Sequence, residues 1–359
     1  MNTDEFLAGF RQSPDFLLHD FDFQHSRGLI VSISQDAYRT ASFLDHRLFT
    51  PETVGVWFPL ETLTGAITGM TAGKTPCCIF QVGHCGSTLV SRLLAELPDN
   101  LPIREPRALL ALAVIRRDQD RPSSWVNAAQ WQRYYDLAMH ALGRTYVPDT
   151  RALIKLTSTA GNLLEPMTAG ARPMPQALLL YINLEAFLAV MLRTPDMRDS
   201  LHADSPGWVT DFCRLTGRTD IRLSELDDAQ QAVIKWLVLM LIFSRALAAC
   251  PAQTHLLDFE AFLKNPAAEL TTIAKHFQLR TELDHVERLV NSPLMRSYSK
   301  IPAQPFTGAQ RELELRAARA QFHDEIQSGL RWAETLSRNT PALDAAAAYL
   351  SHDPAFIAG

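Results

Sequence analysis

The sequence predicts a three-layer, doubly wound α/β fold with a mainly parallel sheet. Three observations carry that expectation. Short, mostly apolar runs recur along the chain, each bounded by turn or charged residues, as strands buried on both faces require. Helical patterns separate most of these runs, as crossover connections between parallel strands do. One run breaks into a Gly-rich turn that opens directly into a helix, in "CCIFQVGHCGSTLVSRLL" (77–94).

Taken in chain order, residues 1–70 read as an irregular N-terminal lobe packed on the core, with phenylalanines and turn residues scattered through it. The core is expected over 71–305. Its strands are "CCIFQV" (77–82), "LPIR" (101–104), "ALIKL" (152–156), "QALLLYI" (176–182) and "THLLDF" (254–259). After the Gly-rich turn, Leu89, Val90, Leu93, Leu94 and Leu97 share one helical face, with Ser91, Arg92 and Glu96 turned away. The most apolar stretch, "AVIKWLVLMLIFSRALAA" (232–249), has too few residues between Lys235 and Arg245 for a bilayer span and suits a buried core helix. In "DFEAFLKNPAAELTTIAKHF" (258–277), Asn265 stands as an N-cap before Pro266 at the first helical position. A charged helical extension is expected within 306–359.

At 359 residues, with 47% hydrophobic and 20% charged residues, the chain has the composition of an ordinary globular protein. A net charge of −5 opposes nucleic-acid and membrane-surface binding, which need a broad positive field. Any anion site has to be local. The five cysteines, Cys77, Cys78, Cys85, Cys213 and Cys250, include no CxxC pair, and their odd number fits a reducing compartment. The mixed, acidic start "MNTDEFLAGFRQSPDF" is unlike a secretory signal, so the expected setting is the cytoplasm. His140, His255, His276 and His285 show no metal-ligand spacing, and no metal is expected.

The turn itself has a definite chemistry. A strand ending in glycines at a helix start aims several backbone N–H groups at one point, where the helix dipole adds partial positive charge. Gly83 and Gly86 permit the tight turn and close approach of an anion, and Ser87 and Thr88 add hydroxyls. The nucleotide-binding pattern GxxxxGK[ST] needs a lysine where this chain has Gly86, which argues against magnesium-dependent ATP or GTP hydrolysis.

Together with later stretches, "VGHCGSTLVSRLL" (82–94) resembles the 5′-phosphosulfate-binding loop of sulfotransferases, whose typical loop reads [RK]-S-G-[ST]-T between a strand and a helix. "IREPRALL" (103–110) is similar to the second strand and Glu-Pro turn of many bacterial members. "RALIKLTST" (151–159) resembles the family's Lys-containing strand, and "LLDFEAFLKNPAAELTTIAKHFQL" (256–279) its late strand, turn and helix. The agreement in order and spacing spans residues 76–300. The resemblance implies a P-loop, sulfotransferase-like fold, binding of 3′-phosphoadenosine-5′-phosphosulfate, and metal-independent transfer of its sulfuryl group to a hydroxyl of a small-molecule or glycan acceptor. It also implies that Gly83, His84, Cys85, Gly86, Ser87 and Thr88 hold the donor's 5′ end. Lys300, in "MRSYSKIPAQPF", is a candidate contact from a C-terminal loop closing over the nucleotide, the alternative being an exposed loop lysine.

Two departures stand out. His84 and Cys85 replace the loop's usual cation and serine, and histidine carries full charge only when protonated. In "YINLEAFLAVMLR" (181–193), Asn183 and Met191 occupy the Arg and Ser positions of the family's 3′-phosphate motif; Asn183 can still donate a hydrogen bond, and Arg193 lies nearby in sequence. Glu105, past the end of the second strand, is the candidate general base; the alternative is a surface ion pair with Arg104 or Arg107. Lys155 within an apolar strand is a candidate contact to the sulfuryl group or nucleotide, the alternative being a stem that reaches solvent. With His84, these form the candidate catalytic set. Segments 112–150 and 195–235 are expected to build the acceptor pocket. Two rival readings are a non-catalytic anion-binding protein on the same fold and a kinase-like phosphotransferase.

Overall fold

The computed structural model describes residues 3–350 apart from 71–72, 120, 171–172, 299–300 and 306. At its centre lies a five-stranded sheet built from β4 (Cys77–Gln81), β5 (Asn100–Arg104), β6 (Arg151–Lys155), β7 (Gln176–Tyr181) and β8 (Thr254–Asp258). The strands are ordered β5-β6-β4-β7-β8, and every pairing is parallel. β4 and β5 are buried along their whole length, which explains why they read as unbroken apolar runs rather than alternating ones. Helices cover both faces. Ser87–Ala95 and Pro266–His276 pack on one another, and Leu184–Leu192 packs on Asp228–Ala249. The fold is the α/β class expected from the sequence.

The order of strands decides where a ligand can sit. The chain leaves β4 toward β5 and β6 on one side and later returns to β7 and β8 on the other, so connections diverge above the carboxyl end of β4. Such a switch point leaves a crevice that no crossover helix fills.

The N-terminal lobe is regular rather than irregular. β1 (Phe16–Asp22), β2 (Arg27–Ser32) and β3 (Gly55–Pro59) form an antiparallel sheet in that order. A register shift between Leu18 and Asp20 interrupts the alternation that marks half-buried strands, which hid β1 from the sequence pattern. Arg144, buried against Phe10, donates to the carbonyls of Phe10 and Phe16, the latter at 3.2 Å, and joins lobe to core. Burial lowers the Arg144 guanidinium to about 10.

Three smaller expectations change. Ser91 is fully buried instead of facing water. Asn265 precedes the helix Pro266–His276, but its side chain makes no capping hydrogen bond. The charged C-terminal region divides at Phe322 into two helices, Gly308–Gln321 and His323–Arg338. The apolar helix Asp228–Ala249 passes through the fold with most of its side chains buried.

Candidate anion site

Residues 83–86 form a backbone cradle. Gly83, His84 and Gly86 have φ of 103°, 52° and 71°, all in the left-handed region. Left-handed residues in such a tight turn rotate successive N–H groups toward one concavity. Gly86 also occupies the N-cap of the helix Ser87–Ala95, where no side chain caps the first-turn donors. A Cβ at Gly86 would stand 2.0 Å from the Phe259 ring, so only glycine fits there.

The cradle opens into a cleft of about 760 Å³. Of the sequence-derived candidates, Gly83, His84, Gly86, Ser87, Thr88, Glu105 and Lys155 line it. The Ser87 hydroxyl already donates to Gln81 Oε1 at 2.8 Å, while the Gln81 amide donates to the Leu156 carbonyl at 3.1 Å. Ser87 therefore stiffens the turn in this state instead of presenting its proton to the cleft. Cys85 turns inward. Its thiol is fully buried, faces the Leu180 carbonyl at 3.4 Å, and is pushed up to about 11 by burial. It meets a ligand only through its backbone.

Lys155 is 1% exposed and does not reach solvent. Its ammonium pairs with the Glu105 carboxylate. The pairing follows from register, because Arg104 of β5 lies opposite Lys155 of β6 and Glu105 comes next. Glu105 itself has φ 52°, a strained value for a non-glycine residue, which lifts its side chain out of the sheet edge toward the cleft. The surface pair with Arg104 or Arg107 does not form. Arg104 is buried and donates to the carbonyls of Arg39 and Ala41 at 3.0 and 2.9 Å, and Arg107 bonds Asp20.

Asn183 is occupied elsewhere. It caps the helix Leu184–Leu192, accepting from the Ala186 N–H at 2.8 Å, and is not among the residues lining the cleft. Met191 is buried. Arg193, at the end of that helix, does line the cleft and pairs with Glu314. Lys300 lies outside the described residues.

Parts of the remaining walls were missed by sequence reasoning. Phe43 and Arg47 come from the N-terminal lobe, held at the cleft by a 2.7 Å bond from the Leu44 N–H to the Arg104 carbonyl. Thr307, Gly308 and Arg311 come from the start of the helix Gly308–Gln321, where Arg311 pairs with Glu260 at 2.6 Å. Ser200, Asp204 and Lys235 come from the expected segment 195–235, but no residue of 112–150 contributes. Lys235 is 4% exposed, about a third of the way along the apolar helix. A lysine in a continuous apolar run was the available signal, the same one that marked Lys155.

No family model matches the chain, and no curated protein does. Among solved structures, it is similar to a sulfotransferase domain from the curacin biosynthetic pathway, at 12% identity and TM-score 0.40, over 70% of this chain and 99% of that one. It is also similar to a sulfotransferase from Alicyclobacillus acidocaldarius, at 14% identity and TM-score 0.32, over 70% of this chain and 94% of that one. A mouse sulfotransferase complexed with PAP is a third, at 12% identity and TM-score 0.33, over 80% of this chain and 98% of that one.

Proposed function

We propose that this chain is a sulfotransferase-like enzyme, moving a sulfuryl group from 3′-phosphoadenosine-5′-phosphosulfate to a hydroxyl of a small-molecule or glycan acceptor. The observation that carries the reading is the juxtaposition, in one cleft, of an uncapped helix N-terminus behind a left-handed glycine turn with the Glu105–Lys155 pair. The space that only glycine leaves at position 86 is what a phosphate or sulfate needs for close backbone approach. Bound there, the donor supplies an activated sulfuryl group on a phosphate leaving group.

The chain's own residues divide the remaining work. Backbone donors of 83–88 hold anionic oxygens where charge develops. Lys155 adds a fixed positive charge beside them. Glu105, whose carboxylate faces the cleft, takes the proton of the acceptor hydroxyl, and its ion pair with Lys155 holds that carboxylate in place. Arg193 and Arg311 supply the charge that Asn183 does not, at the C-terminal wall.

A second reading, an anion-binding protein without transfer, is favoured by one observation. The Asn183 and Met191 side chains are committed to capping and packing. Calorimetric titration with 3′,5′-adenosine bisphosphate, with AMP as control, tests binding. Transfer of labelled sulfate to a panel of hydroxyl acceptors tests turnover. Binding that prefers the bisphosphate, with transfer, supports the enzyme. The same preference without transfer supports the second reading, and no binding sinks the sulfuryl-donor assignment.

A further inference from the structure

The glycine turn carries no lysine or arginine of its own, yet a cation from another part of the chain stands beside it. Lys235 belongs to the helix Asp228–Ala249, among side chains almost all of which are buried and apolar. Burying an ammonium there is costly unless it serves an anion or polar partners. Its Nζ lies 3.7 Å from the point where a Cβ of Gly83 would stand, and the Ser158 hydroxyl oxygen lies 3.6 Å from the same point. The ammonium also sits 5.6 Å from the Trp208 ring centroid. That ring is also covered by Arg117, which is tied to Asp211 at 2.7 Å. The ammonium thus stands close to both the Trp208 ring and the start of the turn.

We propose that Lys235 binds the terminal anionic group of the ligand held in the turn, replacing in space the cation that the turn lacks in sequence. An ammonium is a compact point charge with three donors and suits the oxygens of a tetrahedral anion approaching from any side. The bare Gly83 matters to this arrangement, because a side chain longer than a methyl would stand between the ammonium and the turn. The identity of the ligand rests on the function proposed above; the position of the charge does not.

Lys235→Met preserves the stem's bulk within an apolar helix, so its melting temperature should stay close to that of the wild type. Both proteins are titrated with 3′,5′-adenosine bisphosphate, with adenosine 3′-monophosphate, which lacks the 5′ group, and with inorganic pyrophosphate. The expected result is at least tenfold weaker binding of the bisphosphate and pyrophosphate, with the 3′-monophosphate unchanged. Equal weakening for both adenosine ligands would indicate a merely structural lysine and overturn the assignment, as would no weakening. If the methionine variant does not fold, Lys235→Gln is titrated in the same way. A wild type that binds pyrophosphate in a Lys235-dependent manner but no adenosine nucleotide would keep the assignment and sink the sulfuryl-donor reading. A wild type that binds none of the three overturns both.

Discussion

Glu105 and Lys155 meet twice. The Glu105 backbone N–H donates to the Lys155 carbonyl at 2.6 Å, and the two side chains form an ion pair above the same strand ends. The backbone bond extends the β5–β6 ladder by one residue and fixes where the carboxylate stands. Because the lysine is almost fully buried and the glutamate only partly so, the pair presents its acidic member to the cleft.

Glu105→Gln keeps a hydrogen-bond acceptor for Lys155 and removes the base. Turnover should fall by about 10²–10⁴-fold, the usual worth of a positioned general base. Affinity for the bisphosphate should rise modestly, because Lys155 is then no longer neutralised. Steady-state kinetics beside calorimetry separate the two effects, and full turnover would remove Glu105 from the role.

Gly86→Ala places a methyl into the Phe259 ring and asks a non-glycine residue to hold φ 71°. The Phe259 ring is itself buried and stacked on Phe262, so it has little freedom to yield. A loss of about 2–5 kcal/mol is expected from overpacking and backbone strain together. Urea unfolding measures it, and a variant of unchanged stability would contradict the close contact.

Cys85→Ser should leave turnover within a few-fold, since the thiol faces a carbonyl and not the cleft. Maleimide labelling near pH 7.5 should modify the half-buried Cys213 and Cys250 well before Cys85. The buried thiol also sets a sign. Folding raises it from about 9 to about 11, so the native state retains a proton that the unfolded chain loses. Its contribution to stability is complete below about pH 9 and disappears as pH rises through about 11. Replacing Cys85 by Ala should flatten that part of the stability–pH profile.

Arg193→Gln should weaken the bisphosphate about tenfold while leaving AMP nearly unchanged, if the C-terminal wall holds the 3′-phosphate. Glu314→Gln should do the reverse, strengthening the bisphosphate by releasing Arg193 from its ion pair. Parallel titrations of the two variants check both directions, and equal effects on AMP would place Arg193 elsewhere.

The central sheet was legible because strands buried on both faces must be continuously apolar, and β4 and β5 fulfil that condition along their whole length. The turn was legible because Gly83 and Gly86 are required by backbone geometry, a local property. The N-terminal sheet was not, since the bulge at Leu18–Asp20 breaks the alternation on which its recognition depends. Arg311 escaped for a different reason. Its place in the cleft is set by how distant helices pack, and nothing beside it in sequence says that it will face inward, whereas the apolar run around Lys235 did carry a signal. Asn183 shows the converse: correctly found beside a strand end, it is used by the adjacent helix as a cap.

The cleft's walls run from Phe43 to Leu315, with contributions from many of the elements between them. During synthesis the turn at residues 83–86 leaves the ribosome long before the helix beginning at Gly308, so a nascent chain carries the cradle without its far wall. Any ligand of the cleft therefore gains its full set of contacts only after the C-terminal helices have docked. Ligand in the cell can protect the finished protein against unfolding, but it cannot act as a template for the first stages of folding.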